Sequence, residues 1–354
     1  MKGLILGAGK GTRLRPFTYT QPKPLLPVAN QPVILYGLTQ LMKLGINEIG
    51  IVIHPEQEES FKQVLKSVND PDLTVTYIYQ TEQKGIGHAV MQAKSFIGKH
   101  PFVLLLGDNL ICEPLLALRD QFNKKGIHST VLVKEVSHPE DYGIAEIKDK
   151  KIVNLEEKPS RPKSNLAVIG AYIFTPYIFK AIQSIEPSAR GEYEITDAIQ
   201  WLIDHGYRVN YVITGKPASD VGTVERWLEA NKWMLQMENK EGLSEVKEKA
   251  QDSIIIPPVK IGKNCEIKQS VIGPYVSVDS GAKIEKCSIR NSVVLKGARL
   301  ENVPFEISDS IVGEGASVSG SRDAESHISG IFPDKSSVII PDKQTTFKKK
   351  EGGT

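Results

Sequence analysis

The chain has 354 residues, 40% of them hydrophobic and 24% charged, with a formal net charge of +2. That length exceeds one compact core of usual size and points to two domains, while so small a charge excess gives no electrostatic footprint for nucleic acid. Three scattered cysteines, Cys112, Cys265 and Cys287, exclude a disulfide framework and a zinc site, so reduced thiols are expected.

The first apolar run, "GLILG", is too short for a signal-peptide core, and no stretch approaches the ~18 apolar residues of a membrane span. A cytoplasmic protein with no membrane partner is expected. Four more β-rich runs follow: "EIGIVIH", "LTVTYIY", "PFVLLLG" and "STVLVKEV". Amphipathic stretches lie between them. In "PVILYGLTQLMKLG", Ile34, Leu38, Leu41 and Met42 share one helical face and Gly45 supplies the stop. "EQEESFKQVLKSV" and "GHAVMQAKSFIG" have the same character. Apolar strands alternating with helices imply an α/β fold with a largely parallel sheet covered on both faces. Ligands of such sheets bind at the carboxyl ends of the strands. The loops after three strands, "GAGKGTR", "YQTEQKG" and "GDN", are therefore expected to converge on one edge.

The first of these loops has the spacing G-x-G-x-G-T-R, which fits neither the Walker loop nor the dinucleotide fingerprint. Glycines after a strand still let backbone N–H groups approach phosphate closely. Arg13 adds a planar fork suited to phosphate oxygens. In "QPKPLLPV", Lys23 stands between Pro22 and Pro24, which restrict the backbone, and reads as a second phosphate ligand.

Residues 238–252, "ENKEGLSEVKEKAQD", are charged and free of aromatics, and read as a helix tail and linker between a first domain over 1–237 and a second over 253–341. The second domain has no helical period. Ile261, Ile267, Ile272, Val278, Ile284, Ile289, Leu295 and Leu300 recur every five or six residues, and Ile261, Val278, Leu295 and Val312 are spaced by 17. Short strands joined by Gly, Asn, Asp and Ser turns at that period describe a stacked β-helix. The ladder Ile261–Val278–Leu295–Val312 is expected to point inward and Val294 outward. Residues 342–354 form a polar tail ending "KKKEGGT".

The run "LGAGKGTRLRPFTYTQPKPLLPV" closely resembles the signature of the sugar nucleotidyltransferase family, most of all its long-form glucose-1-phosphate thymidylyltransferases. The resemblance spans nearly the whole chain. It implies a Rossmann-like nucleotidyltransferase domain with a mixed, mostly parallel sheet, then a left-handed parallel β-helix. It also implies a nucleotide site at Leu6, Gly7, Ala8, Gly9, Gly11, Thr12 and Arg13, with Gln80 and Gly85 of "QTEQKGIGHA" at the base. Asp108 in "LLLGDN" and Asp220 in "SDVGT" match the family's ligands for Mg2+, the one cofactor implied. Alone, either Asp would more often be a cap or turn residue. The family commonly has an aromatic two residues before the second Asp, where this chain has Ala218.

For the sugar phosphate the resemblance implies Tyr142 and Gly143 in "DYGIAE", Glu157 and Lys158 in "NLEEKP", and Tyr172. "ARGEYEITDAI" resembles an element that closes the sugar pocket, with Arg190 and Glu192 as candidates. The implied partners are dTTP or UTP, a hexose 1-phosphate and further copies of the chain. The implied catalytic set is Arg13, Lys23 and Asp108. An oxygen of the sugar phosphate attacks the α-phosphorus in line, and pyrophosphate leaves. That nucleophile is already anionic, so no general base is needed; the task is to hold two anions together and neutralise growing charge. Two other classes stay open. Solenoid acetyltransferases use a histidine on the β-helix, where this chain has only His327. Regulatory nucleotide-sugar sensors tend to lose the phosphate-site residues, which this chain keeps.

Overall fold

The computed structural model describes residues 1–238, 250–320, 327, 328 and 330–340. Most of the expected linker and the polar tail lie outside them. The chain divides into two compact units. The first comprises Met1–Thr12, Gln21–Leu26 and Gln31–Val221; the second comprises Arg13–Thr20, Pro27–Asn30 and everything from Gly222. The boundary near 221 precedes the one expected at 237, because the helix Val224–Glu238 clusters with the solenoid.

The first unit is built on a nine-stranded mixed sheet. Its strands are β1 (Lys2–Leu6), β2 (Glu48–Ile53), β3 (Thr74–Tyr79), β4 (Phe102–Leu106), β5 (Ile127–Glu135), β6 (Gly143–Lys148), β7 (Lys151–Glu157), β8 (Leu166–Phe174) and β9 (Arg208–Ile213). The order is β7-β6-β8-β4-β1-β2-β3, with β5 on β8 and β9 on β5. Pairs β1–β2, β1–β4, β2–β3 and β5–β9 are parallel. Strand β8 runs antiparallel to β4, β5 and β6.

Alternation along each strand feeds two cores. Leu4, Val52 and Leu104 enter one cluster; Ile5, Ile51, Ile53, Val103 and Leu105 enter the other. Both faces of the central strands are thus dry, which is why they read as unbroken apolar runs. The helices Val33–Lys43 and Glu58–Leu65 contribute Ile34, Leu38, Leu41 and Phe61 to the second cluster. Among the described residues, no helix is long and apolar enough to cross a membrane.

The second unit contains a left-handed parallel β-helix with three stacked sheets of six, five and five strands. Residues with positive φ, such as Gln269, Lys286 and Asn302, recur between its short strands. The inward ladder differs from the expected one: the partners are Ile261, Val278, Val294, Val312 and Phe332. Val294 is fully buried inside the solenoid, and Leu295 stands one position past the ladder. The coil from Val278 to Val294 is one residue shorter than the coil before it, and the next is two residues longer. A fixed spacing of 17 therefore drops out of register and then regains it at Val312.

Within this unit the helix Val224–Glu238 is tied to other segments by buried polar contacts. Asn231 Oδ1 accepts from the Ala29 backbone N–H and the Ser277 hydroxyl, both at 2.9 Å. Trp227 Nε1 donates to the Pro27 carbonyl at 2.6 Å, and its ring meets Phe17 edge-on. Asn30 Nδ2 donates to the Val278 carbonyl at 2.8 Å.

Candidate active site

Three parallel strands deliver their carboxyl ends to one side of the first unit. After β1 the chain turns through Gly7, whose N–H donates to Val52 at 2.7 Å. After β4, the Gly107 N–H donates to the Leu6 carbonyl at 2.8 Å. After β3, the Gln80 N–H donates to Ile53 at 2.9 Å. Between these ends lies a cavity of about 390 Å3. Of the residues singled out in the sequence, Leu6, Ala8, Gly9, Lys23, Gln80, Gly85, Asp108, Glu157 and Lys158 line it, as do Arg190 and Glu192. A Cβ at Gly9 would meet nothing within 4 Å, so packing against a first side-chain carbon does not call for glycine there. Gly11 has φ +60, which a glycine adopts freely.

Lys23 sits in the tight turn Lys23–Leu25, set by its flanking prolines, and is 7% exposed. Its ammonium donates to the Asp108 carboxylate and lies 3.6 Å from Asp220 Oδ2. Asp220 reaches this point through a small antiparallel pair, Asn109–Ile111 against Ala218–Asp220, in which Asp220 faces Asn109. The Val221 N–H completes it by donating to the Asp108 carbonyl at 2.8 Å. Burial alone would raise the Asp108 carboxyl. The Lys23 ammonium and the Asn109 amide, 2.8 Å from Oδ1, more than offset that and hold it below its ordinary value. Two carboxylates on one ammonium form a compact charged centre. The donor set also fits Mg2+, which is commonly held by one or two carboxylates plus substrate phosphates.

A second group of polar side chains is organised around Glu157. Strand register sets it opposite Gly143, where a Cβ would come within 2.4 Å of the Thr196 methyl and 3.0 Å of Glu157 Oε2. Glu157 Oε2 accepts from the Thr196 hydroxyl at 2.7 Å, and Oε1 accepts from Arg190 Nη2 at 3.2 Å. Both carboxylate oxygens are thus held. Arg190 also pairs with Glu194 at 2.8 Å and lies 3.7 Å from Glu192. Lys158 has φ +44, an uncommon conformation for a side chain of this kind, and its N–H donates to the Tyr142 carbonyl at 2.9 Å.

Several candidates do not line the cavity: Gly7, Gly11, Thr12, Tyr142, Gly143, Tyr172 and Asp220. Tyr172 is 3% exposed in the core and stacked on Phe174; burial, with Glu157 nearby, pushes its phenol above the ordinary value. Arg13 belongs to the second unit, where it lines a hollow with Thr223, Glu225 and Asp309.

Sequence reasoning missed Glu194, Thr196 and Gln83. Glu194 is 3% exposed, and its Oε1 accepts from the Ser188 hydroxyl at 2.7 Å and from Arg190 Nη2 at 2.8 Å. Gln83 Nε2 donates to the Ala8 carbonyl, closing the loop after β3 onto the glycine loop. The same loop is also joined to the segment that holds Arg190 and Glu194: the Gly87 N–H donates to the Tyr193 carbonyl, and the Tyr193 N–H to the Lys84 carbonyl, both at 2.8 Å. A Cβ at Gly85, where φ is +92, would come within 2.8 Å of the Tyr193 carbonyl.

Residues 2–237 match the nucleotidyl transferase family. The chain belongs to that family. It is 37% identical over 343 residues to the low-salt glycan biosynthesis nucleotidyltransferase Agl11 of Haloferax volcanii, covering 91% of this chain and 95% of the relative. It is 37% identical over 359 residues to a glucose-1-phosphate thymidylyltransferase of Streptomyces antibioticus, covering 96% and 99%. Among solved structures, a UDP-glucose pyrophosphorylase complexed with UDP-glucose superposes with a TM-score of 0.61 at 30% identity, covering 67% of this chain and 99% of that one. The chain is a sugar-1-phosphate nucleotidyltransferase.

Proposed function

We propose that this nucleotidyltransferase joins glucose 1-phosphate to dTTP, giving dTDP-glucose and pyrophosphate. The observation that carries the reading is the pair of charged centres at the two ends of one cavity. Lys23 stands with Asp108 and Asp220 at one end; Glu157, Arg190 and Lys158 stand at the other. The choice of sugar and nucleotide rests on the likeness to the Streptomyces enzyme over nearly its full length.

The residues divide the work. The glycine-loop amides and Lys23 hold the α-phosphate, where negative charge grows as the sugar phosphate oxygen attacks. Lys158 holds the sugar's phosphate, and Glu157, fixed by Thr196 and Arg190, accepts from sugar hydroxyls. Asp108 and Asp220 would hold Mg2+, which when bound neutralises phosphate charge. No proton need be removed from the nucleophile, so positioning and charge stabilisation carry the rate. Further copies of the chain assemble with it.

The alternative is uridylyl transfer, favoured by the likeness to the UDP-glucose pyrophosphorylase. Thymine and uracil differ by one methyl group, worth about 1–3 kcal/mol in a pocket. Pyrophosphate release from dTTP, UTP, CTP and GTP, each against a panel of sugar 1-phosphates, tests the reading. The highest kcat/KM is expected for dTTP with glucose 1-phosphate; a preference for UTP selects the alternative, and release with none overturns both.

A further inference from the structure

Gln80 is 4% exposed and lines the cavity directly after β3. Its amide nitrogen lies 2.9 Å from His88 Nδ1 and 3.5 Å from the Gly85 carbonyl oxygen. The other imidazole nitrogen, Nε2, lies 3.1 Å from the amide nitrogen of Gln92. A neutral imidazole offers one donor and one acceptor. Here both ring nitrogens face amide NH2 groups, so two glutamines compete for one acceptor.

Burial decides the competition. Gln92 is exposed and can turn to water. Gln80 is buried, and a buried donor left unpaired is costly. The Gly85 carbonyl can only accept, so it pulls the Gln80 amide the same way. The imidazole proton therefore belongs on Nε2, and Nδ1 accepts from Gln80. The Gln80 side-chain oxygen, which has no protein partner among the described residues, is left to the cavity.

That orientation has a consequence for the base. Thymine and uracil carry N–H at ring position 3 and need an acceptor there; cytosine has a bare nitrogen and needs a donor. An amide side chain can offer either, according to which way it is turned. We propose that His88 is a positioning residue that fixes the polarity of Gln80 and so makes the pocket prefer a keto pyrimidine to cytosine. This rests on the nucleotide reading of the cavity given above. His88 does not line that cavity and acts only through Gln80.

The test compares wild type, His88→Leu and His88→Asn with dTTP, UTP and CTP at saturating sugar 1-phosphate. Leucine removes the acceptor and frees the Gln80 amide to turn over. KM for dTTP and UTP should rise about tenfold with little change in kcat, and the preference over CTP should narrow. Asparagine carries an amide oxygen near the Nδ1 position and should restore the preference. A merely structural role predicts something else: all three nucleotides suffer alike, in kcat or through loss of folded protein. That pattern overturns the proposal, as does a folded His88→Asn enzyme that fails to recover the preference. A wild type that releases pyrophosphate yet does not favour keto pyrimidines overturns the role of His88 and leaves nucleotidyl transfer standing. A wild type that turns over no nucleotide overturns both.

Discussion

Lys23 and Lys158 are both cations in one cavity, yet their surroundings differ. Lys23 is buried against two carboxylates, while Lys158 is exposed and held by a strained backbone. Their losses should differ accordingly. Lys158→Ala removes a ligand of the sugar phosphate in ground and transition states alike, so KM for the sugar phosphate should rise with kcat little changed. Lys23→Ala removes charge stabilisation that grows during the reaction, so kcat should fall about 100- to 1000-fold. Steady-state kinetics with each substrate varied in turn separates the two; the reverse pattern exchanges their roles. Asp108→Asn should likewise cost about 100- to 1000-fold, because a neutral amide is a poor ligand for Mg2+ and a weaker partner for Lys23. Its thermal unfolding midpoint should fall at neutral pH but the transition should stay cooperative, because Lys23 keeps Asp220 as its one remaining carboxylate partner among the described residues. Near-normal turnover would remove Asp108 from the centre.

At the level of elements, legibility followed the range of the contact. Strands β1, β2 and β4 could be read from the sequence because burial on both faces makes them continuous apolar runs, and β3, a half-exposed strand at the end of the sheet order, from its β-branched and aromatic residues. The glycine loop and Lys23 were legible because their chemistry is local. The meeting of Asp108 with Asp220 depends on a strand pair between distant segments, Asn109–Ile111 and Ala218–Asp220, and only resemblance pointed to it. Glu194 and Thr196 were not singled out within "ARGEYEITDAI", since nothing local says that their side chains meet Arg190 and Glu157. The solenoid's period could be read, but its register could not, because the coils differ in length. Two substitutions probe these elements. Gly143→Ala puts a methyl where the Thr196 and Glu157 side chains stand, so Glu157 must shift, and KM for the sugar phosphate should rise several-fold. Titration with the sugar phosphate alone checks this; unchanged affinity would detach Glu157 from the sugar. Val294→Thr keeps the shape but buries a hydroxyl inside the solenoid. It should cost about 1–3 kcal/mol in chemical unfolding, whereas an outward Val294 would tolerate it.

Across the whole molecule, the division of the chain does not follow the division of the chemistry. The family match ends at residue 237, but the first compact unit ends at Val221, and Arg13–Thr20 and Pro27–Asn30 cluster with the solenoid. A chain cut after Met237 keeps every residue proposed for chemistry. It also keeps a helix and two short segments that hold one another but lose their contacts with the solenoid. Asn231 loses the Ser277 hydroxyl and Asn30 loses the Val278 carbonyl, each a contact made inside the second unit. The truncated protein should therefore unfold at lower temperature than the full chain, with the loss concentrated in residues 13–20, 27–30 and 224–237. Hydrogen exchange reads that location directly: protection should fall there and persist in β1, β2 and β4. The same cut tests assembly. The last described strand, Ser337–Ile340, pairs on one side with Ser317–Gly320, and Ile339 is 76% exposed. A sheet end of this kind invites pairing with another chain. Light scattering should show more than one copy for the full chain and a shift toward the monomer after truncation. An unchanged stoichiometry would move the assembly surface to the first unit. A folded, monomeric truncation that has lost turnover would place a contribution to catalysis within the solenoid.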